Sequence, residues 1–144
     1  MIGFLDTSAL VPLVLDEPGS DACRRFWVSA DDVVGSRLAF VEAAAALARA
    51  QRLGRLTDAF HRVCLANLEE IWLEVLPLEV DDRLVRRAAE LAHQFGLRGY
   101  DAVQCASAEK VAAADLVAAS GDAKLLAAWV DLGIATFNPN STDD

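Results

Sequence analysis

Near its amino end the chain reads Ile2-Gly3-Phe4-Leu5-Asp6-Thr7-Ser8-Ala9-Leu10, and this stretch decides the fold. A short apolar run that ends in an acid and passes into helix-forming residues predicts a strand, a turn and a helix. Pro12 fits the same interpretation, because proline is accommodated in a first helical turn. We therefore expect a buried opening strand that carries an aspartate at its carboxyl end.

Further along the chain, strand patterns alternate with helix patterns. We predict strands near residues 33–34, 74–78, 115–119 and 134–137. We predict helices over residues 20–29, 38–52, 57–72 and 82–96, from about 100, and over 122–132. Residues able to cap these helices are Ser20 or Asp21, Thr57 or Asp58, and Asp81 or Asp82. Such alternation implies a parallel sheet with helices on both faces, and the helices over 38–52 and 57–72 should form a helical hairpin.

Length and composition are typical of one domain. The chain has 144 residues, of which 54% are hydrophobic, so we expect a single domain over 1–144 with a frayed tail over 138–144. No apolar run approaches the roughly 20 residues of a membrane span. The amino end also lacks the basic and apolar parts of a signal peptide. We expect a soluble, cytoplasmic protein with no membrane partner.

Neither the cysteines nor the histidines indicate a metal site or a disulfide framework. Cys23, Cys64 and Cys105 are odd in number and far apart, which leaves no Cys-x-x-Cys pair. His61 and His93 stand alone, with no second histidine one turn away to complete a zinc pair. We expect the cysteines to be core residues and the histidines to be structural or exposed.

The net charge of −9, taken alone, argues against a nucleic-acid partner, because proteins that grip phosphates usually present a basic surface. Arginine, however, makes up eleven of the thirteen basic residues. Its guanidinium group suits bidentate contact with phosphate. A basic rim around an acidic centre therefore stays open as an interpretation.

Two aspartates stand where ligands bind in open parallel sheets, beyond the carboxyl ends of the strands. Asp6 ends the first strand and Asp122 closely follows the strand at 115–119, so both side chains could reach one crevice. Asp101 begins a helix and could lie on the same rim. Helix capping is the alternative for each of them, since aspartate is favoured at helix N-termini.

Glu42 is a candidate for a different reason, because the residues on both sides of it, from 38 to 47, are apolar or small. A carboxylate inside such a helix suggests a function. The alternative is an exposed polar stripe, since Arg49 lies about two turns later on the same side of the helix.

A divalent cation would explain these acids together. Four carboxylates brought close to one another repel, which raises their pKa values and destabilises the fold unless a cation enters. Mg²⁺ prefers oxygen ligands and keeps several waters, so two or three carboxylates are enough to hold it. Such an ion activates water for attack on phosphorus and stabilises charge on the phosphoryl oxygens.

Four short motifs follow one another in a specific order. They are Phe4-Leu5-Asp6-Thr7-Ser8-Ala9-Leu10, Val41-Glu42, Tyr100-Asp101-Ala102 and Ser120-Gly121-Asp122. Each is weak alone, but their order and spacing make a chance match improbable. Together they resemble the PIN-domain nucleases, specifically the VapC-type toxins of bacterial and archaeal toxin-antitoxin pairs, and the resemblance covers nearly the whole chain.

This resemblance implies a three-layer α/β/α fold with a short, mainly parallel sheet of roughly four or five strands and about seven helices. It also implies an endoribonuclease that hydrolyses RNA phosphodiester bonds with Mg²⁺ or Mn²⁺. By the same resemblance, Asp6 and Asp101 are the leading metal ligands. Glu42 would join them or act on the attacking water. Asp122 would bind a second ion or reach the first one through water.

The resemblance has implications for supporting residues and for partners. Ser8 and Ser120 stand beside two of the acids, so either hydroxyl could orient a carboxylate or a water, with helix capping as the alternative. A homodimer is implied, and so is a separately encoded antitoxin whose basic segment blocks the acidic cleft.

Three other interpretations stay open. PIN domains also occur in RNA processing outside toxin-antitoxin pairs. A haloacid dehalogenase-like phosphatase also begins with a strand that ends in an aspartate, but it needs a second aspartate two residues later, where this chain has Ser8. The third is a non-catalytic acidic binding module, against which the intact set of four acids argues.

Overall fold

A computed structural model of the chain describes residues 1–142. Its elements follow in the order β1 (Ile2–Leu5), α1 (Thr7–Leu10), a 3₁₀ turn (Val11–Leu13), α2 (Ser20–Ser29), β2 (Asp32–Ser36), α3 (Leu38–Arg52), α4 (Asp58–Trp72), β3 (Val75–Leu78), α5 (Asp82–Phe95), α6 (Gly99–Lys110), β4 (Leu116–Ala119), α7 (Ala123–Asp131) and β5 (Ala135–Phe137). The predicted α/β class is confirmed. The predicted element bounds differ from these by a few residues at most, as helix and strand ends usually do.

The sheet has five strands in the order β3-β2-β1-β4-β5, and every neighbouring pair is parallel. β1 is central, so Phe4 pairs with Val34 on one side and with Ala118 on the other. The chain builds outward from β1 through β2 and β3 and then returns to build through β4 and β5. The order therefore reverses between β1 and β4, and a crevice is expected at the carboxyl ends of these two strands.

The core lies on both faces of the sheet. Phe4 and Leu5 are neighbours in β1, and they face opposite sides because side chains alternate along a strand. Phe4 belongs to a buried cluster with α5, α6 and α7, and its ring meets that of Trp129 edge-on at 5.7 Å. Leu5 belongs to a second cluster, with Leu47 and other residues of α1 to α4. This arrangement confirms the predicted three layers.

Local signals set most of the helix ends. The Thr57 hydroxyl caps α4 by accepting from the backbone N–H of Phe60, and the Asp81 carboxylate caps α5 in the same way. Gly96 ends α5 with φ of +66°, a left-handed conformation that glycine adopts without steric cost. Together α3 and α4 form the predicted helical hairpin.

The predicted cap of α2 is wrong. Gly19 occupies that position, and no side chain caps the helix. The hydroxyl of Ser20 instead donates to the carbonyl of Leu15 and accepts from the N–H of Glu17. A serine next to a helix start thus stabilises the preceding turn, because its hydroxyl is as close to the turn as to the helix.

The tail differs from the expectation of fraying over residues 138–144. Pro139 is buried, and the carbonyl of Phe137 accepts from the backbone N–H of Ser120. The side chain of Asn140 lies close to Gly121, where an added Cβ would come within 2.7 Å of its Nδ2. Residues 138–140 therefore fold back towards the end of β4. Residues 143 and 144 lie outside the described part of the chain.

All three cysteines lie in the buried clusters of the core. Cys23, Cys64 and Cys105 are buried free thiols, as predicted for core residues. Among residues 1–142, no helix is long and apolar enough to cross a membrane.

Helix α7 offers a test of the packing. We expect Leu125→Ala to lower the free energy of unfolding by about 2–5 kcal/mol, because the side chain is fully buried and its loss leaves a cavity. Val130→Ala is the control in the same helix, since Val130 is 60% exposed. Urea unfolding measures both variants. Equal losses from the two would contradict the assignment of α7 faces.

Candidate functional site

A cleft of about 480 Å³ opens beside the carboxyl ends of β1 and β4. The predicted acids Asp6, Glu42, Asp101 and Asp122 all line it. They come from the end of β1, from α3, from the first turn of α6 and from the residue before α7. The reversal of strand order explains the convergence, because the loops after β1 and β4 diverge to opposite faces of the sheet and leave space between them.

Asp6 is the most deeply placed of these acids, with only 5% of its surface exposed. The hydroxyls of Ser8 and Ser120 both donate to its Oδ2, at 2.7 Å and 2.9 Å. Burial is the main cause that raises the pKa of Asp6, and the hydrogen bonds from the two serines act in the opposite direction. The side chain also accepts a long bond from the N–H of Ser8, so it caps α1 as well.

Ser8 and Ser120 are themselves held by the backbone of the next loop. The N–H of Gly121 donates to the hydroxyl oxygen of Ser8 at 2.8 Å, and the N–H of Asp122 donates to that of Ser120 at 3.0 Å. Each serine thus accepts a backbone bond and donates to Asp6. The sequence left open whether these hydroxyls orient a carboxylate or a water, or cap a helix. In the structure both donate to the Asp6 carboxylate.

Glu42 is half-buried, so the alternative of an exposed stripe is wrong. The Nε2 of Gln104 donates to its Oε1 at 3.0 Å. Arg49 is exposed, and no ion pair within residues 1–142 joins it to Glu42. Burial is the main cause that raises the pKa of Glu42, while the hydrogen bond from Gln104 lowers it.

Helix capping was the alternative role for both Asp101 and Asp122, and the structure shows it for Asp122 but not for Asp101. Asp122 is the N-cap of α7, and its Oδ1 accepts from the N–H of Leu125 at 3.0 Å. Asp101 lies inside the first turn of α6, where the N-cap position belongs to Arg98 and no side chain makes a capping bond. Its carboxylate is therefore in the cleft without the local role that explains most aspartates at helix starts.

The acids influence one another electrostatically. After burial, the charges of Asp6 and Asp101 are further causes that raise the pKa of Glu42. Burial is likewise the main cause that raises the pKa of Asp101, followed by the charges of Asp122 and Asp6. Like charges in one cleft disfavour each other's ionised forms, so the ionisation of Glu42 and of Asp101 depends on the charges of the acids around them.

Within residues 1–142, no cationic side chain forms an ion pair with any of the four acids. Arg98 comes nearest in effect, because its charge lowers the pKa of Asp101. A hard divalent cation fits such an all-oxygen, uncompensated donor set.

The acids do not form a ready-made ligand cluster. Within residues 1–142, no three side chains of histidine, cysteine, aspartate or glutamate stand in the arrangement of a metal site. Mutual repulsion favours such separation. Any ion that all four acids served would therefore need side-chain rotation towards it, for which the half-buried Asp101 has more freedom than the buried Asp6.

Sequence reasoning missed several residues of this region. Thr7 and Glu17 line the cleft beside the acids, and Asn140 reaches it from the tail. Gln104 lies behind Glu42 and is fully buried. The available signal for Gln104 was its position three residues after Asp101, on the same side of a helix. Asn140 had no such signal, because only the return of the tail brings it near the cleft.

Fold and site together describe an α/β protein with an acidic cleft at the reversal point of its sheet. A family model described as PIN domain matches residues 3–128. Two relatives from Mycobacterium tuberculosis are each 37% identical over 122 residues, which is 85% of this chain and 85% of the relative: Ribonuclease VapC45 of strain CDC 1551 / Oshkosh and Ribonuclease VapC49 of strain ATCC 25618 / H37Rv. The chain belongs to the PIN-domain family.

Solved structures share the fold. VapC20 from Mycobacterium tuberculosis, a sarcin-ricin loop cleaving toxin, matches with a TM-score of 0.70 and 22% identity over 88% of this chain and 94% of that chain. FitAcB from Neisseria gonorrhoeae matches with a TM-score of 0.71 and 22% identity over 96% and 98%. A toxin-antitoxin complex from Klebsiella pneumoniae matches with a TM-score of 0.66 and 14% identity over 96% and 98%.

Family membership removes one of the alternatives. A haloacid dehalogenase-like phosphatase is not supported, because the matched family is a different one. The residue two positions after Asp6 agrees with this, since Ser8 donates a hydrogen bond to Asp6 instead of supplying a second carboxylate.

The raised pKa values predict how stability depends on pH. The folded, metal-free protein holds protons on Asp6, Glu42 and Asp101 more tightly than the unfolded chain does. The contribution of these three groups to stability therefore falls as pH rises above about 4, the unfolded pKa of aspartate. We expect Asp6→Asn to be more stable than wild type at neutral pH. The difference should shrink as the pH falls towards about 4, the pKa of aspartate in the unfolded chain.

Urea unfolding in EDTA across this pH range measures the difference. Asp16→Asn is the control, because Asp16 is exposed and outside the cleft. An Asp6→Asn variant that is less stable than wild type at neutral pH, or whose advantage grows on acidification, would contradict the burial argument.

Proposed function

We propose that this protein is a metal-dependent endoribonuclease and the toxin of a toxin-antitoxin pair. The observation that carries the proposal is the cleft shared by Asp6, Glu42, Asp101 and Asp122. The relatives that are 37% identical to the chain are named ribonucleases. An uncompensated set of carboxylates at the reversal point of the sheet suits the metal-assisted hydrolysis of a phosphodiester.

The four acids have distinct roles in this proposal. Asp6 and Asp101 would be the leading ligands of Mg²⁺ or Mn²⁺. Glu42 would be a further ligand or act on the attacking water, and Asp122 would bind a second ion or reach the first one through water. A bound ion would supply charge stabilisation at the phosphate and a more acidic water. Ser8 and Ser120 keep one oxygen of Asp6 engaged, so that the carboxylate has a single orientation.

The substrate is RNA, and arginines next to the acids would hold its phosphates. Arg55 lies 3.7 Å from Glu17, which lines the cleft. Ala46 of α3 also lines the cleft, and the exposed Arg49 follows it by three residues. On the other side, the charge of Arg98 lowers the pKa of Asp101. Such a rim allows a chain of net charge −9 to accept a polyanion.

The partner is a separately encoded antitoxin, and the protein works in the cytoplasm as a homodimer. Support for the antitoxin comes from the acidity of the cleft, since a basic segment that enters it would offset the repulsion among the carboxylates. Support also comes from the kinship with proteins called VapC. An RNA-processing role outside such a pair uses the same catalytic residues and differs in the absence of an antitoxin.

The catalytic assignment predicts RNA cleavage that requires Mg²⁺ or Mn²⁺ and stops on chelation. Asp6→Asn and Asp101→Asn should each lower the rate by about 100-fold or more, because each removes a charge that holds the ion. Asp115→Asn is the matched control, since Asp115 is exposed and precedes β4 without lining the cleft. Cleavage of a fluorescent RNA measures the rates, and circular dichroism checks folding. Cleavage that survives in Asp6→Asn would refute the assignment.

The arginine rim makes a separate prediction. Arg49→Gln combined with Arg55→Gln should raise KM for RNA and reduce the slope of log(kcat/KM) against log salt by about 1 to 2, because each phosphate contact contributes to that slope. The control variant combines Arg25→Gln in α2 with Arg86→Gln in α5. It has the same net charge as the rim variant. Equal slopes in the two double variants would show that only net charge matters.

A further inference from the structure

Gln104 is a buried polar residue whose position the packing of α6 does not explain. Its side chain has no exposed surface. Its Nε2 lies 3.0 Å from Oε1 of Glu42 and 3.5 Å from the hydroxyl oxygen of Thr7. These partners belong to α3 and α1, which cover the opposite face of the sheet from α6. Gln104 therefore reaches across the edge of the sheet from one layer of helices to the other.

The other end of the same amide is its carbonyl oxygen, Oε1. Within residues 1–142, Oε1 of Gln104 is buried and accepts no hydrogen bond. Buried carbonyl groups are nearly always paired, and an unpaired one destabilises the folded state. A methionine of similar length would fill the same space without an unpaired oxygen.

The rest of α6 shows that this helix can bury polar groups without such a penalty. Ser107 is also fully buried, and its hydroxyl donates to the carbonyl of Val103 at 2.7 Å. Its polar group is thus satisfied within the helix. Gln104 differs, because its one short bond goes to a carboxylate of the cleft.

The chemistry of that bond explains which end of the amide faces Glu42. An ionised carboxylate only accepts hydrogen bonds, so it selects the NH₂ end of the amide and turns the carbonyl away. The Thr7 hydroxyl oxygen lies 3.5 Å from the same Nε2, and Thr7 is a further cause that lowers the pKa of Glu42. The amide of Gln104, which comes from another helix, therefore restricts where the Glu42 carboxylate can lie, and α3 alone would leave it free to rotate.

We propose that Gln104 is a positioning residue that holds the Glu42 carboxylate towards Asp6 and Asp101, at the expense of fold stability. This inference rests on the proposed function, because it assigns Glu42 to the catalytic set. Residues that orient a ligand without touching the ion typically change metal affinity or activity by about 10- to 100-fold. The unpaired Oε1 is then a consequence of retaining glutamine for its NH₂ group, which donates to Glu42.

Replacement by methionine separates this role from a structural one. We expect Gln104→Met to leave the thermal midpoint equal or higher, to weaken Mn²⁺ binding to the metal-free protein by about 10-fold or more, and to lower kcat by a similar factor with little change in KM. Calorimetric Mn²⁺ titration and thermal unfolding need no RNA. A residue with only a packing or hydrogen-bonding role in the fold would lower the midpoint and leave Mn²⁺ affinity unchanged.

Two further variants complete the experiment. Ser107→Ala is the matched control, because it removes a buried polar group from the same helix, one turn away from Gln104, and should leave Mn²⁺ affinity and kcat unchanged. In a Glu42→Gln background, adding Gln104→Met should change Mn²⁺ affinity by no more than about 2-fold, because a residue that acts through Glu42 has nothing left to position.

The outcomes distinguish the inference from the function on which it rests. A wild-type protein that binds Mn²⁺ and cleaves RNA, with a Gln104→Met variant that matches it in both, overturns the inference alone. A full further loss of affinity in the Glu42→Gln background also overturns it. A wild-type protein that neither binds Mn²⁺ nor cleaves RNA overturns the proposed function.

Discussion

Burial of the Asp6 carboxylate at the end of the central strand is the constraint on which the rest of the structure depends. A charge that is 5% exposed has lost most of its hydration, and it needs donors that compensate for the loss. Ser8 and Ser120 supply them, and the backbone of the loop after β4 holds both serines in turn. The position of that loop, and of Asp122 within it, follows from the need to satisfy Asp6.

The cleft around Asp6 also contains further carboxylates, whose negative charges repel one another. Asp6, Glu42 and Asp101 have raised pKa values, and among residues 1–142 none of them forms an ion pair. A fold selected only for stability would replace these groups with neutral ones. The proposed cation would account for their presence together, because it would turn an unfavourable set of charges into a ligand set.

Much of the fold and of the candidate site could be predicted from the sequence, for reasons that differ between residues. Asp6 and Asp122 follow strands in a parallel α/β pattern, so their shared edge of the sheet follows from topology. Glu42 was detectable because an acid among alanines is unusual. Whether each acid caps a helix was not predictable, because Asp101 and Asp122 stand in similar sequence contexts, and only Asp122 makes the capping bond.

The sequence by itself determined the order of strands and helices, the acids at their ends and the family of the protein, because periodicity, capping signals and short motifs are local properties of the chain. Only the tertiary structure decided that Gln104 meets Glu42 across 62 positions and that Ser120 meets Asp6 across 114. It also decided that Asn140 returns to the cleft. Such contacts depend on how the helix layers pack at the sheet edge, and no local pattern encodes that distance.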